Sequence, residues 1–536
     1  MQETTGEVVA RGLVAHGVDT VFAIPGAHTY DFQDALYGVR DRIRTIHTRH
    51  EQGAGYMAYG YAKSTGRPGV YSVVPGPGVL NSSAALCTAY GANTPVLCIT
   101  GNVMSHLIGQ GRGQLHELPD QLATLRSLTK WSERINHQSQ ASAVVSEALR
   151  RMRHGRPGPV TIEAPWDVFG MKGPAATVSV LPIESPAVDE TQVEQAARMI
   201  AAANNPLIMV GGGANDAAVE VLALARKIQA PVTSHRSGKG IVSADSPYAM
   251  DLVAAYRYWR TCDLLVGIGS RLELQFMRWQ WRPAGLKILR IDIDPTEMVR
   301  LRPDLGIVGD ARTVTAALCD AVAASSTNRE SEFAAISAQA RMSYDRVQPQ
   351  MEFLDAIRGV LPRDGFFVEE ITQVGFAARF GFPVYAPRCY VTCGYQDNLG
   401  FGFSTALGVK VANPGKAVVS VSGDGGFMFG VQELATAAQH RINVIAIVFN
   451  NSAFGNVLRD QIRRYGGRVL GAELENPDFV CLAESFGVRG RRVETAPELK
   501  AALSDMIDLD VPALIEVRLG RDSETSPWTF LHPAPY

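Results

Sequence analysis

Between positions 418 and 451 the chain spaces glycines, one carboxylate and one amide as an anion and a divalent cation would require. An apolar run over 418–422 leads into Gly423-Asp424-Gly425-Gly426. A predicted helix over 431–438 follows, and a second apolar run over 444–449 ends in Asn450-Asn451. Glycines at a strand-to-helix turn let the backbone approach a bound group, and the free N–H groups of the helix start favour an anion such as phosphate. A lone aspartate there would repel that anion unless a cation bridged the two. Asn451 lies 451 − 424 = 27 residues past Asp424, at the C-terminal end of the neighbouring predicted strand. Both side chains therefore reach one point on the same sheet edge, where α/β ligands usually bind. A carboxylate, an amide oxygen, the backbone carbonyl of Ala453 and two phosphate oxygens make an oxygen-rich shell suited to Mg²⁺. The plainer alternative is an ordinary Asp-Gly turn and an Asn-Asn strand end.

Other candidates for proton chemistry lie near the start of the chain. Glu51 follows a short predicted strand over 44–47, in the context Thr48-Arg49-His50-Glu51-Gln52-Gly53. On local grounds it is a first-turn acid favoured by the helix dipole. His28, in Ile24-Pro25-Gly26-Ala27-His28, lies just past a predicted strand over 20–24. An imidazole at a strand end can carry protons to and from a reacting carbon.

The elements that must position these groups read as α/β. Short β-rich runs at 69–74, 96–100, 207–210, 263–269, 287–294, 417–422, 443–450 and 513–519 alternate with Ala-rich helical stretches. Pro75-Gly76-Pro77-Gly78 stops one strand, and a helix is expected from about Asn81. Proline-bearing 178–190 and the small, polar 323–331 read as linkers. They leave three Rossmann-like, doubly wound blocks with central parallel sheets, at 1–177, 190–323 and 345–536, a normal size for domains. The 536 residues are 46% hydrophobic and 19% charged with a formal charge of −2, which excludes disorder, a dedicated nucleic-acid binder and a polybasic membrane surface. No apolar run is long enough to span a bilayer. The start of the chain lacks a basic, then apolar, secretory pattern, and seven scattered cysteines read as reduced thiols. A cytoplasmic protein is the expectation.

Gly-Asp-Gly followed by just under thirty residues and Asn-Asn resembles the cofactor motif of the thiamine diphosphate enzymes, and the three-block layout matches theirs as well. The resemblance implies a pyrimidine-binding first domain, a central domain and a diphosphate-binding third domain. It implies thiamine diphosphate and Mg²⁺ as cofactors, with Asp424, Asn451 and Ala453 as metal ligands. Gly423, Gly425, Gly426, Asn451 and Gln373 would join the cofactor contacts. Glu51 would hydrogen-bond the pyrimidine ring and donate a proton to it, favouring the imino tautomer that deprotonates the reactive carbon. Leu399, in Asp397-Asn398-Leu399-Gly400, would be the apolar wedge that bends the cofactor, while Gly76 and Asn81 match a loop beside it. In the family, the glutamate and the metal site come from different subunits, which implies a homodimer or homotetramer with its active site at the interface.

Within the family the likeness runs to the acetolactate synthase large-subunit and benzaldehyde lyase-like group. It is carried by Phe427-Met428-Phe429-Gly430-Val431-Gln432-Glu433-Leu434 and by Gly155-Arg156-Pro157-Gly158-Pro159-Val160. Gly26-Ala27-His28 matches benzaldehyde lyase, and His116 stands where the group shows glutamine, which makes both histidines candidates to face substrate. Three stretches depart from acetolactate synthases: Ala249-Met250-Asp251-Leu252 and Arg271-Leu272-Glu273-Leu274 replace flavin-loop motifs, and the segment from Phe454 to Asp460 lacks the tryptophan that sets acceptor preference. FAD is therefore doubtful, although Gly211-Gly212-Gly213 and Ile291-Asp292-Ile293-Asp294 are weakly dinucleotide-like. The expected activity is carbon–carbon lyase or transferase chemistry on a small-molecule substrate, a 2-oxo acid or 2-hydroxy ketone, with an aldehyde as candidate acceptor. The alternative within the family is a 2-hydroxyacyl-CoA lyase or oxalyl-CoA-type decarboxylase, with Arg463, Arg464 and Arg468 as a faint site for the CoA tail. Outside it stands a flavin or nicotinamide oxidoreductase using the central block.

Overall fold

The structure, a computed structural model, describes residues 2–279 and 281–534. The apolar runs become short strands, nearly all buried, in three six-stranded sheets that are parallel throughout. Burial on both faces explains why the runs read as continuously apolar rather than alternating. The first sheet has the order Arg44–His47, Thr20–Ala23, Gly69–Val73, Val96–Asn102, Val160–Pro165, Trp131–Arg134. The third repeats that order with Tyr390–Val391, Phe366–Glu369, Val418–Gly423, Ile445–Asn450, Ala513–Arg518, Arg489–Val493. Numbered along the chain, both run 2-1-3-4-6-5. The central sheet instead runs 3-2-1-4-5-6, the dinucleotide-fold order, with Pro206–Val210 and Leu264–Ile268 at its middle.

Three helices position the site: α1 (Glu51–Thr65), α2 (Pro77–Gly91) and α3 (Gly402–Ala412). α2 begins four residues earlier than the sequence reading expected. Pro77 occupies its first turn, where the missing N–H costs no hydrogen bond, so the proline starts the helix rather than delaying it. The helix expected over 431–438 likewise shifts to Glu433–His440.

α1 from the first block and α3 from the third cross in near contact. A Cβ on Gly60 would lie 2.1 Å from the Thr405 carbonyl oxygen, and one on Gly408 would lie 1.9 Å from the Met57 carbonyl oxygen. Only glycine permits that approach from both sides. Glu433, fully buried, adds a polar tie between the same blocks, accepting from the backbone N–H of His50 at 2.9 Å and of Arg49 at 3.2 Å. The residues next to Glu51 are thus set by the third block of the same chain.

Candidate active site

The switch point of the third sheet lies between Phe366–Glu369 and Val418–Gly423, and the Gly-Asp-Gly turn stands on its C-terminal edge. Asp424 starts the short helix Asp424–Phe427 and is 2% exposed. Its Oδ1 accepts from the Gly425 N–H at 2.9 Å and its Oδ2 from Asn476 Nδ2 at 2.7 Å. Burial pushes its carboxyl above the usual range, and the N–H groups of Gly425, Ser452 and Ala453 with the Asn476 amide oppose that rise. The carboxylate therefore lies against the segment that follows Asn450, as the spacing predicts.

Asn451 accepts from the Ala453 N–H at 3.2 Å through Oδ1 and donates to Glu524 Oε2 at 2.9 Å through Nδ2. Ala453 faces Glu473 in an isolated antiparallel bridge whose hydrogen bonds run from Phe454 to Ala472 and from Leu474 to Ser452. That bridge leaves the Ala453 carbonyl unclaimed. One carboxylate, one amide oxygen and one free carbonyl thus gather around a glycine turn, a donor set that fits a hard divalent cation bridging to an anion. No cluster of three or more His, Cys, Asp or Glu side chains at metal spacing occurs among the described residues. Gln373, buried at the start of the helix Gln373–Gly381, accepts from Arg459 Nη1 at 3.0 Å. Leu399 abuts the turn, its Cδ2 3.4 Å from where a Cβ on Gly426 would stand.

The matching edge of the first sheet holds the other candidates. Glu51 opens α1 behind His50, whose Nδ1 accepts from the Gln52 N–H at 3.1 Å. Its Oε2 accepts from Asn81 Nδ2 of α2 at 3.0 Å, so two predicted cofactor residues meet. Gly76 is held with a φ of 58°, and a Cβ there would lie 2.5 Å from the His116 carbonyl oxygen. His28 and His116 stack with ring centroids 5.1 Å apart, and Trp166 tilts against His28 at 4.9 Å. His28 Nε2 meets the Leu115 carbonyl at 3.0 Å, whereas Nδ1 of each histidine is buried without a partner. Burial, then the neighbouring His116, lowers the His28 pKa, while the hydrogen bond to the Leu115 carbonyl opposes that fall. Among the described residues no hydrogen bond joins Glu51 or Asn81 to the Asp424 group.

Family profiles match the three blocks in order: thiamine pyrophosphate enzyme N-terminal TPP binding domain over 3–124, central domain over 193–318, and C-terminal TPP binding domain over 370–517. A probable 2-ketoarginine decarboxylase of Pseudomonas aeruginosa is 32% identical over 96% of this chain and 94% of its own length. The chain belongs to the thiamine pyrophosphate enzyme family. A probable acetolactate synthase large subunit of Methanocaldococcus jannaschii is 34% identical over 95% of the chain and 91% of its length. Acetolactate synthase isozyme 1 large subunit of Escherichia coli is 30% identical over 98% and 95%. This member of the thiamine pyrophosphate enzymes is therefore an enzyme whose relatives are decarboxylases and carboligases.

Several residues of this site escaped the sequence reading. Gln121 ties the Gly76 turn down, accepting from the Gly76 N–H and donating to fully buried Glu163, both at 2.8 Å, while Arg134 pairs with the same carboxylate. Asn476 orients Asp424, and Glu524 reaches Asn451 from the C-terminal segment. These partners are dozens of residues from what they hold, and no local spacing marks them.

In the central block a cavity of about 420 Å³ opens beside the turn Gly211-Gly212-Gly213, with Asp292, Arg156, Arg236, Arg271 and Arg388 in its wall. Its guanidinium groups are already engaged: Arg156 with Asp294 and Glu297, Arg236 with Glu273 and Asp397, Arg388 with Asp216, Arg271 with the Gly91 carbonyl. Arg463, Arg464 and Arg468 lie on an exposed face, as solvated charges do.

Proposed function

We propose that this enzyme is a thiamine diphosphate- and Mg²⁺-dependent lyase or transferase that cleaves the bond next to the carbonyl of a 2-oxo acid, delivering the remaining carbon to a proton or to a second carbonyl. The observation that carries this reading is the gathering of Asp424, Asn451 and the free Ala453 carbonyl at one glycine turn, with the Glu51–Asn81 pair on the equivalent edge of the other sheet. When bound, the cofactor supplies an acidic carbon that adds to carbonyls and accepts the electrons left behind. Asp424, Asn451 and Ala453 hold the metal, and the N–H groups of the Gly423–Gly426 turn face the diphosphate. Glu51, fixed by Asn81, holds and returns one proton at the pyrimidine ring. Leu399 props the cofactor's bend. His28 and His116, with unpartnered ring nitrogens in a buried stack, exchange protons with the substrate oxygen.

A second copy of the chain completes each centre. Two observations support this: among the described residues no hydrogen bond links Glu51 or Asn81 to the Asp424 group, and large apolar groups beside them are open, Leu80 at 46% and Phe429 at 51% exposure. Seven free cysteines agree with a reducing, cytoplasmic setting. The test is to incubate the purified protein with thiamine diphosphate, Mg²⁺ and a panel of 2-oxo acids, with and without aldehydes, and to identify the products. Metal-dependent cofactor uptake and CO₂ release from at least one acid are expected. Uptake indifferent to Mg²⁺, or no product from any acid, would refute the assignment.

A further inference from the structure

One buried carboxyl at this site has no part in the account above. Glu370 follows the strand Phe366–Glu369 at the switch point of the third sheet and is 1% exposed. Its Oε1 accepts from the Gly400 N–H at 3.0 Å, and its Oε2 accepts from the Gly402 N–H at 2.7 Å and from Ser422 Oγ at 3.0 Å. A Cβ on Gly426 would stand 2.0 Å from Oε1. A single carboxyl thus touches the end of the strand before the Gly-Asp-Gly turn, the turn itself, and the backbone just beyond Leu399.

The near side of Leu399 is held by opposite means. Asp397 has a φ of 43° and accepts from Arg379 Nη2 and Arg236 Nη2, both at 2.7 Å. The loop from Asp397 to Gly402 is therefore strung between two guanidinium groups and one carboxyl, with Leu399 in mid-span. Among the described residues Glu370 has no cation partner: what acts on it is burial, the two N–H groups and the Ser422 hydroxyl. An acid kept in such a place answers a donor demand, because a buried N–H left unsatisfied is destabilising and two carboxyl oxygens can accept all three donors.

We infer that Glu370 is a positioning residue for the reaction: it locks the Leu399 loop to the diphosphate turn, so that the support under the cofactor's bend and the grip on its tail form one rigid piece. This rests on the proposed role of Leu399. Glu370 acts through Gly400, Gly402 and Ser422 and does not touch the reacting atoms.

The test uses the full-length chain with thiamine diphosphate and Mg²⁺. Glu370→Gln keeps the size but turns an NH₂ toward at least one donor, breaking part of the lock. Calorimetry gives the cofactor Kd, and quenched hydrogen–deuterium exchange read by NMR gives the rate at C2 of the bound cofactor. Exchange slowed by about 10- to 100-fold is expected, with Kd changed by less than about three-fold and kcat falling while KM holds, since a misplacement of the order of 1 Å suffices for such losses. A structural role alone would raise Kd or lower the folded fraction and leave exchange in the bound fraction untouched. Should Glu370→Gln not fold, Ser422→Ala decides the matter: it removes one of three donors and should slow exchange by about five-fold, the worth of one hydrogen bond. Exchange at the wild-type rate, in folded Glu370→Gln or otherwise in Ser422→Ala, overturns the inference. A wild-type chain that takes up no cofactor would instead overturn the proposed function.

Discussion

Glu51 and Asp424 make separable demands on the cofactor, and substitution should separate them. Glu51→Gln preserves the shape and the Asn81 contact but cannot pass a proton; turnover should fall by about 10²- to 10⁴-fold while calorimetry still shows binding. Asp424→Ala should abolish Mg²⁺-dependent uptake, and a titration indistinguishable from wild type would exclude the metal role. His28 offers a third test. Burial lowers its pKa below the ordinary 6.5, so the folded state binds fewer protons than the unfolded one in mildly acidic solution. Its contribution to stability is present above pH 6.5 and is lost as the pH falls. His16, His235, His440 and His532 are shifted the same way, so His28→Asn should reduce, not remove, the acid-side slope of urea stability; an unchanged slope would mean that His28 binds protons in the fold as it does in the unfolded chain. Asp424, Asn451, Glu51 and His28 stood out in the sequence because each lies in a short motif at or just past a strand, and His116 because of the family resemblance. Glu370, Gln121 and Asn476 did not, because each is defined by what it meets across the fold.

At the scale of elements, the crossing of α1 and α3 is the tightest constraint. The small residues of α1 are visible in the sequence, but their purpose is not, because the partner helix begins some 350 residues later. Gly408→Ala puts a methyl 1.9 Å from a carbonyl oxygen and should lower stability by about 1–3 kcal/mol, with unfolding at lower urea concentration as the readout. Stability equal to wild type would show that the helices can separate without cost. The strands were readable almost to their ends, since continuous apolar runs bounded by Gly, Asn or Asp have few alternatives in a parallel sheet. Helix starts were less so, and α2 shows why: Pro-Gly repeats signal both the end of a strand and the first turn of a helix.

For the molecule as a whole, the proposed pairing of Glu51 from one chain with Asp424 from another predicts complementation. Glu51→Gln and Asp424→Ala chains, each inactive alone, should recover activity when co-expressed, because a mixed dimer carries one centre with both residues intact. Random pairing gives about a quarter of the wild-type rate in a symmetric dimer. No recovery in purified mixed dimers would place both halves of each centre within one chain. The division into blocks could be read from composition, but the matching of the first and third sheets could not, since strand order is invisible to periodicity. That shared order has a geometric consequence. The clefts beside Glu51 and beside Asp424 are built alike, from the C-terminal ends of parallel strands, so in the proposed reading only the side chains placed there distinguish a seat for an aromatic ring from one for a charged tail.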